Sequence, residues 1–436
     1  MGPLARTFSN IYMRIVQLTP GTGNFHCGSC LRDHAFLKSL REQGHEVVLV
    51  PMYLPLVTEG GEQNEIPIYF GGINVFLQTK FALFRNTPRW VDKLFDGRGA
   101  LMKAASKMGM TKPRQLGEIT VASLKGAAGP QRKEVDRLVD WLKETQTLDV
   151  VVLSNALLMG LAPRLRERLG VPIVCVLQGE DTFLEDLPEP YRTEAWDLLR
   201  AASQTCELGI AVSHYHEGIM SPKLDCPTTV VHNGMDLTGY AQREVEPDPP
   251  VIGYLARMCH IKGLGDLVDA FIELAHPTAT LEVVGTCMPH DLNYVDEIKA
   301  KLAAAGLAAR SSFHPNVSRE EKIERLRGMT LLSVPAMYGE SFGLYVIEAN
   351  ACAVPVVQPR HAAFPEVVGA TGGGILFEPG PGALSAALRS ALADPEGTAA
   401  LGRAGADAVW TKFDVAVATS RLIEALRPIV ANSTTL

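Results

Sequence analysis

Short, continuously apolar runs that end in polar clusters and alternate with helix-length stretches restrict this chain more than any other feature. Runs at 14–18, 46–51, 150–153, 172–177, 209–212 and 228–231 are dominated by Val, Ile and Leu without alternation. That is how strands buried on both faces of a parallel sheet read. Helices are expected between them at 29–43, stopped by Gly44, and at 156–169 and 190–206. A second series follows, with strands at 251–255, 280–285, 311–314, 331–334 and 354–357. Its helices are expected at 263–275, 291–305 and 319–327, with further helices to about 430. Between the two series, Arg-Glu-Val-Glu-Pro-Asp-Pro-Pro at 243–250 reads as a charged, proline-rich linker. The expected fold class is therefore α/β, with two doubly wound parallel sheets facing a cleft. Domains are expected at 1–242 and 251–412, and a C-terminal helix within 413–436 is expected to cross back to the first.

Composition removes several function classes. A net charge of −7 over 436 residues argues against a nucleic-acid partner. No apolar run approaches the roughly 20 residues that span a bilayer. The first twelve residues lack a signal-peptide core and read as an extension, or as a prelude to an alternative start at Met13; Arg6 breaks the myristoylation pattern. Eight scattered cysteines, several among apolar neighbours such as Val174-Cys175-Val176, look like reduced buried thiols. A cytoplasmic location is expected. Residues 80–114 carry nine Lys and Arg against two Asp. Two readings stay open there: an amphipathic helical hairpin with a solvated basic face, or a surface for an anionic acceptor or the inner membrane face.

The richest stretch is Pro335-Ala-Met-Tyr-Gly-Glu-Ser-Phe-Gly-Leu-Tyr-Val-Ile-Glu348. A strand ends at Pro335, a glycine turn follows, and a helix is expected with Ser341 as its N-cap. Backbone amides at a helix start make an anion site. Glu340 and Glu348 flank it, so a ligand bearing both phosphates and hydroxyls suits the place, as a sugar nucleotide would. Arg257 and Lys262 follow the strand at 251–255 and can grip a diphosphate, Arg as a bidentate clamp and Lys as a point charge. In the first domain Gly21, Gly23 and Gly28 line the first strand-to-helix turn, where a phosphate could approach backbone amides. Gln178, Glu180 and Asp181 follow the strand at 172–177, and His214 and His232 end the next two.

In this arrangement the chain resembles the retaining glycosyltransferases of family 4, which have the GT-B fold of two Rossmann-like domains. The resemblance rests on Glu340-x7-Glu348 with Ser-Phe-Gly-Leu after the first Glu, and on Gly253-Tyr-Leu-Ala-Arg257 with Lys262-Gly263. It also rests on His232-Asn-Gly-Met-Asp236, Phe364-Pro-Glu366 and the opening loop with Gly44-His-Glu-Val47, and it runs from about residue 13 to 425. It implies transfer of a sugar from a nucleoside-diphosphate sugar to an acceptor hydroxyl with retention. Arg257 and Lys262 would stabilise the departing diphosphate. Glu340 and the amides of Ser341, Phe342, Gly343 and Leu344 would hold sugar hydroxyls and phosphate oxygens, and Glu348 the ribose. No Asp-x-Asp motif stands at a strand end, so neither a metal nor a cofactor beyond the donor is expected.

The sequence departs from the family at two places. Where many members carry a histidine after the fifth strand of the first domain, Gln178 stands, a side chain that can hydrogen-bond a sugar but cannot titrate near neutrality. Gln178, Asp181 and His214 are kept as donor or acceptor contacts, beside readings in which Glu180 and Asp181 only cap the next segment and His214 and His232 are simply satisfied strand-end histidines. The second departure is His26-Cys-Gly-Ser-Cys30, open to three readings: small loop residues, a redox pair Cys27/Cys30, or part of a zinc site. Two alternatives to transfer remain: a sugar-nucleotide epimerase of the same fold, or a non-catalytic nucleotide-sugar-binding protein governed by Cys27/Cys30.

Overall fold

The computed structural model describes residues 12–20, 28–52 and 113–433. Gly21, Gly23, Cys27 and residues 80–112 of the basic segment lie outside them. Among the described residues twelve strands form two six-stranded sheets, and every pairing is parallel. The first sheet holds β1 (Arg14–Thr19), β2 (Glu46–Pro51), β3 (Val150–Leu153), β4 (Ile173–Leu177), β5 (Leu208–Ala211) and β6 (Thr228–Val230), in the order β2-β1-β3-β4-β5-β6. The second holds β7 (Val251–Leu255), β8 (Thr280–Gly285), β9 (Ser311–Pro315), β10 (Leu331–Leu332), β11 (Val356–Pro359) and β12 (Gly374–Phe377), ordered β12-β11-β10-β7-β8-β9. β3 and β4 are buried along their whole length, as strands covered by helices on both faces must be.

Strand β12 has no counterpart in the sequence reading. It begins at the last of three glycines, Gly372 to Gly374, and is a half-buried edge strand of four residues, so neither composition nor burial marks it. The glycines are there for packing: a Cβ on Gly373 would meet the Asn350 side chain at 2.4 Å.

Two sets of contacts join the halves. Helix Val415–Ser433 lies on helix Gly28–Glu42, with Ser39 and Thr419 hydroxyls 2.8 Å apart and Gln43 Nε2 donating to the Ala416 carbonyl at 3.2 Å. Just before that helix, residues 413–415 bridge back to Met235, whose N–H donates to Phe413 O at 2.9 Å. The other set lies where the strand ends of the two sheets face each other. The cysteines at 175, 206, 226, 259, 287 and 352 are buried and free. Among the described residues no helix is long and apolar enough to cross a membrane.

Candidate functional site

In the second sheet the strand order reverses between β7 and β10. Ligands of open parallel sheets bind in the crevice at the carboxyl ends of such a pair. Arg257 and Lys262 follow β7, and Glu340 follows β10, so the topology itself brings them together.

Arg257 is held from behind. Its Nε donates to Asp291 Oδ2 at 2.8 Å and its Nη2 to Asp291 Oδ1 at 2.9 Å, and Nη2 also meets His290 Nε2. Nη1 makes no hydrogen bond among the described residues, which leaves one edge of the guanidinium for a phosphate. Burial alone would push the Asp291 carboxyl up, but the Arg257 bonds, the Met288 N–H and the Arg257 charge outweigh it and hold the carboxyl below its ordinary value. The Asp291 bonds in turn raise Arg257. This pair is fixed in its charged form.

Glu340 is buried, and one of its oxygens is committed. Oε2 accepts from Lys262 Nζ at 2.7 Å, Tyr338 OH at 2.8 Å and Tyr345 OH at 2.9 Å. Burial pushes this carboxyl up, yet the Lys262 charge and these three bonds bring it below its ordinary value. Burial and the Glu340 charge push the Tyr338 and Tyr345 phenols up, so both remain hydroxyl donors. Glu348 sits one helical stretch away. Its Oε1 accepts from Tyr240 OH at 2.8 Å and Lys322 Nζ at 2.6 Å, while Oε2 makes no hydrogen bond among the described residues. Burial again opposes ionisation there, and Lys322 overcomes it.

Ser341 does not cap the following helix. Leu344–Ala351 begins behind Gly343, which takes the left-handed φ of +81°, and no side chain caps it. Ser341 reaches the other sheet instead: its Oγ donates to the Gln178 carbonyl at 3.1 Å, and its own carbonyl accepts from Ser213 Oγ at 2.6 Å. The Phe342 side chain is buried against His232 and Phe413, with centroids 6.1 Å away in each case, so only its backbone remains for a ligand. The Gly343 and Leu344 amides open the helix as expected, although the Gly343 carbonyl already accepts from Val346 N–H at 2.9 Å.

Across the cleft, Gln178 donates from Nε2 to the Ser154 carbonyl at 2.6 Å. Glu180 serves its own loop, accepting from Gln178 N–H at 2.8 Å, Gly179 N–H at 3.0 Å and Ala156 N–H at 2.9 Å. Asp181 does something else: Oδ1 lies 3.2 Å from Nε2 of the fully buried His216. At the junction the His214 N–H donates to Glu366 at 3.0 Å, and its exposed ring lies 3.5 Å from Glu217. His232 Nε2 is 2.6 Å from the same Glu366. Gly28 opens the first helix, behind β1.

Several side chains that build the candidate site escaped the sequence reading. Asp291, Tyr338 and Tyr345 fix the ions of the second sheet. Behind β1, Thr19 Oγ1 donates to Asp33 Oδ2 at 2.9 Å, and the buried Arg32 donates to Asn233 Oδ1 at 2.7 Å, tying the first helix to the Asn-Gly turn. Only His232-Asn-Gly-Met-Asp236 gave any sequence signal for that cluster.

The comparisons with known proteins agree with this architecture. Residues 240–408 match the family model of glycosyl transferases group 1. That stretch contains Arg257, Lys262, Glu340 and Glu348. Among curated proteins, the D-inositol 3-phosphate glycosyltransferase of Segniliparus rotundus is 29% identical over 55% of this chain and 58% of its own length. The lipopolysaccharide core biosynthesis mannosyltransferase LpcC of Rhizobium leguminosarum is 32% identical over 39% of this chain and 51% of its own. The chain thus spans about half the length of the curated relatives it matches. Solved structures extend the likeness in shape. Sucrose-phosphate synthase from Thermosynechococcus elongatus superposes with a TM-score of 0.69 at 16% identity, covering 96% of this chain and 100% of that one. HepE of Anabaena, in complex with UDP and glucose, gives 0.66 at 18% identity, with the same coverage of both chains. The chain has the two-domain, Rossmann-like GT-B fold.

Proposed function

We propose that this protein is a retaining glycosyltransferase that takes its sugar from a nucleoside-diphosphate donor. The observation that carries the reading is the convergence of Arg257, Lys262, Glu340 and Glu348 on the switch point of the second sheet, inside the stretch that matches glycosyl transferases group 1. The names of the curated relatives and the UDP and glucose bound to HepE support the same class of reaction.

The geometry suggests how the parts act. A diphosphate lying across the ends of β7 and β10 would meet the open Nη1 edge of Arg257, the Lys262 ammonium and the amides at 341–344. As the bond from the anomeric carbon to the diphosphate breaks, negative charge grows on the departing oxygen, and fixed positive charge acts most strongly at that moment. These groups can neutralise the leaving group without a metal. The acceptor oxygen bonds to the anomeric carbon on the face the diphosphate leaves, and its proton passes to the departing phosphate oxygen. Glu340 Oε1 would hold a sugar hydroxyl, and Glu348 Oε2 the ribose hydroxyls. Gln178 and Asp181 line the opposite wall, where the acceptor and the far side of the sugar would meet the first sheet.

The test is incubation with UDP-, GDP- and ADP-sugars, with and without polyol and sugar-phosphate acceptors. Nucleotide release that depends on an acceptor is the expected result. Epimer formation without acceptor would overturn transfer in favour of epimerisation, and binding without turnover would favour a non-catalytic role.

A further inference from the structure

Glu366 opens helix Phe364–Thr371 of the second sheet's half, but its carboxylate works in the other half. The N–H groups of His214 and Tyr215 donate to its Oε1 and Oε2 at 3.0 and 3.1 Å, and His232 Nε2 lies 2.6 Å from Oε1. Its three partners all belong to the first sheet's half of the chain. Beside it runs the exchange of Ser341 with Gln178 and Ser213. Two glycines permit the approach: a Cβ on Gly179 would stand 3.0 Å from Ser341 Oγ, and one on Gly339 would stand 3.1 Å from Tyr215 OH.

We propose that Glu366 is a positioning residue, a latch that holds the two halves closed over the crevice and sets the Gly339–Ser341 turn against Gln178 and Asp181. Helix Val415–Ser433, packed on helix Gly28–Glu42, joins the halves independently of the latch. When Glu366 releases the His214 and Tyr215 amides, the cleft opens and the second sheet keeps its own ions, because Arg257–Asp291 and Lys262–Glu340 lie wholly within that sheet's half. Ionised Glu366 is favoured in the closed form: burial opposes the charge, but the His232 contact and the two amides outweigh it. The closure stands on these contacts alone; its catalytic consequence rests on the transferase reading above.

Two substitutions remove the latch differently. Glu366→Gln keeps the shape but loses the charge and one acceptor. His214→Pro removes one donor and leaves Glu366 intact; Ser213 before it is extended, with φ −157° and ψ 160°, and His214 is the first helical residue, a position that accepts proline. Small-angle scattering of each full-length variant should give a larger radius of gyration than the wild type, for which a compact chain of this length predicts roughly 22 Å. UDP affinity should stay within about twofold, while acceptor-dependent turnover should fall roughly tenfold or more through misplacement of the reacting groups. An unchanged radius of gyration in the folded variants overturns the latch, as does loss of the fold in both, since none of these contacts belongs to the apolar core. If the wild type turns over no nucleotide sugar, the scattering result still decides the latch, and only the transferase reading fails.

Discussion

Lys262 Nζ donates to Glu340 Oε2 at 2.7 Å, so the cation proposed to face a diphosphate and the carboxylate proposed to face the sugar are paired with each other. The link gives Glu340 a permanent counter-ion while it waits for a ligand. It also couples binding to stability, because a buried carboxylate stripped of its partner is costly. Lys262→Met should destabilise the protein by about 3 kcal/mol. The double variant Lys262→Met/Glu340→Gln should recover most of that in denaturant unfolding. Additive losses in the double-mutant cycle would show that the pair is not coupled.

Asp291 grips Arg257 with two hydrogen bonds and leaves Nη1 open. Arg257→Ala should abolish donor turnover with folding intact. Asp291→Asn keeps the cation but relaxes its aim, and should lower kcat/KM about tenfold. Wild-type kinetics in Asp291→Asn would remove Asp291 from the positioning of Arg257.

The acid limb of stability should report the same carboxylates. Glu340, Glu348 and Asp291 all lie below their ordinary values in the folded protein. A depressed carboxyl contributes stability that is fully present above its unfolded value and is lost as the pH falls through its folded value. Melting temperature should therefore hold between about pH 6 and 7 and fall steadily below roughly pH 4.5. In Glu348→Gln that fall should be shallower, and an identical acid limb would contradict the assignment.

Gly285 closes β8 with φ +143°, and a Cβ there would lie 1.9 Å from the Ala256 carbonyl oxygen, just before Arg257. Gly285→Ala should cost about 2 kcal/mol or more in stability and displace the Arg257 loop. A loss under about 0.5 kcal/mol would mean that the loop yields freely.

What was legible in the sequence follows from distance along the chain. The two sheets were readable because most of their strands carry their own apolar runs. Arg257, Lys262, Glu340 and Glu348 stood out because their types and spacing resemble the family's motifs, and the fold does bring Lys262 against Glu340. Ser341 misled: its hydroxyl looked like a local cap, but its partner, Gln178, is 163 residues away. The roles of Asp291, Tyr240 and Glu366 are equally non-local, since each acts on an element that no pattern links to it. β12 was hidden by its glycines, whose reason, the Asn350 side chain, appears only on packing.

The account stands most directly on a thermal melt of wild type and Arg257→Ala against UDP, GDP, ADP and their sugars. A ligand at a hundredfold excess over its Kd adds about 2.7 kcal/mol. At least one nucleoside diphosphate should therefore raise the wild-type Tm by roughly 3 °C and leave Arg257→Ala nearly unmoved. No shift with any of them, or an equal shift in both proteins, would contradict a diphosphate site at the ends of β7 and β10.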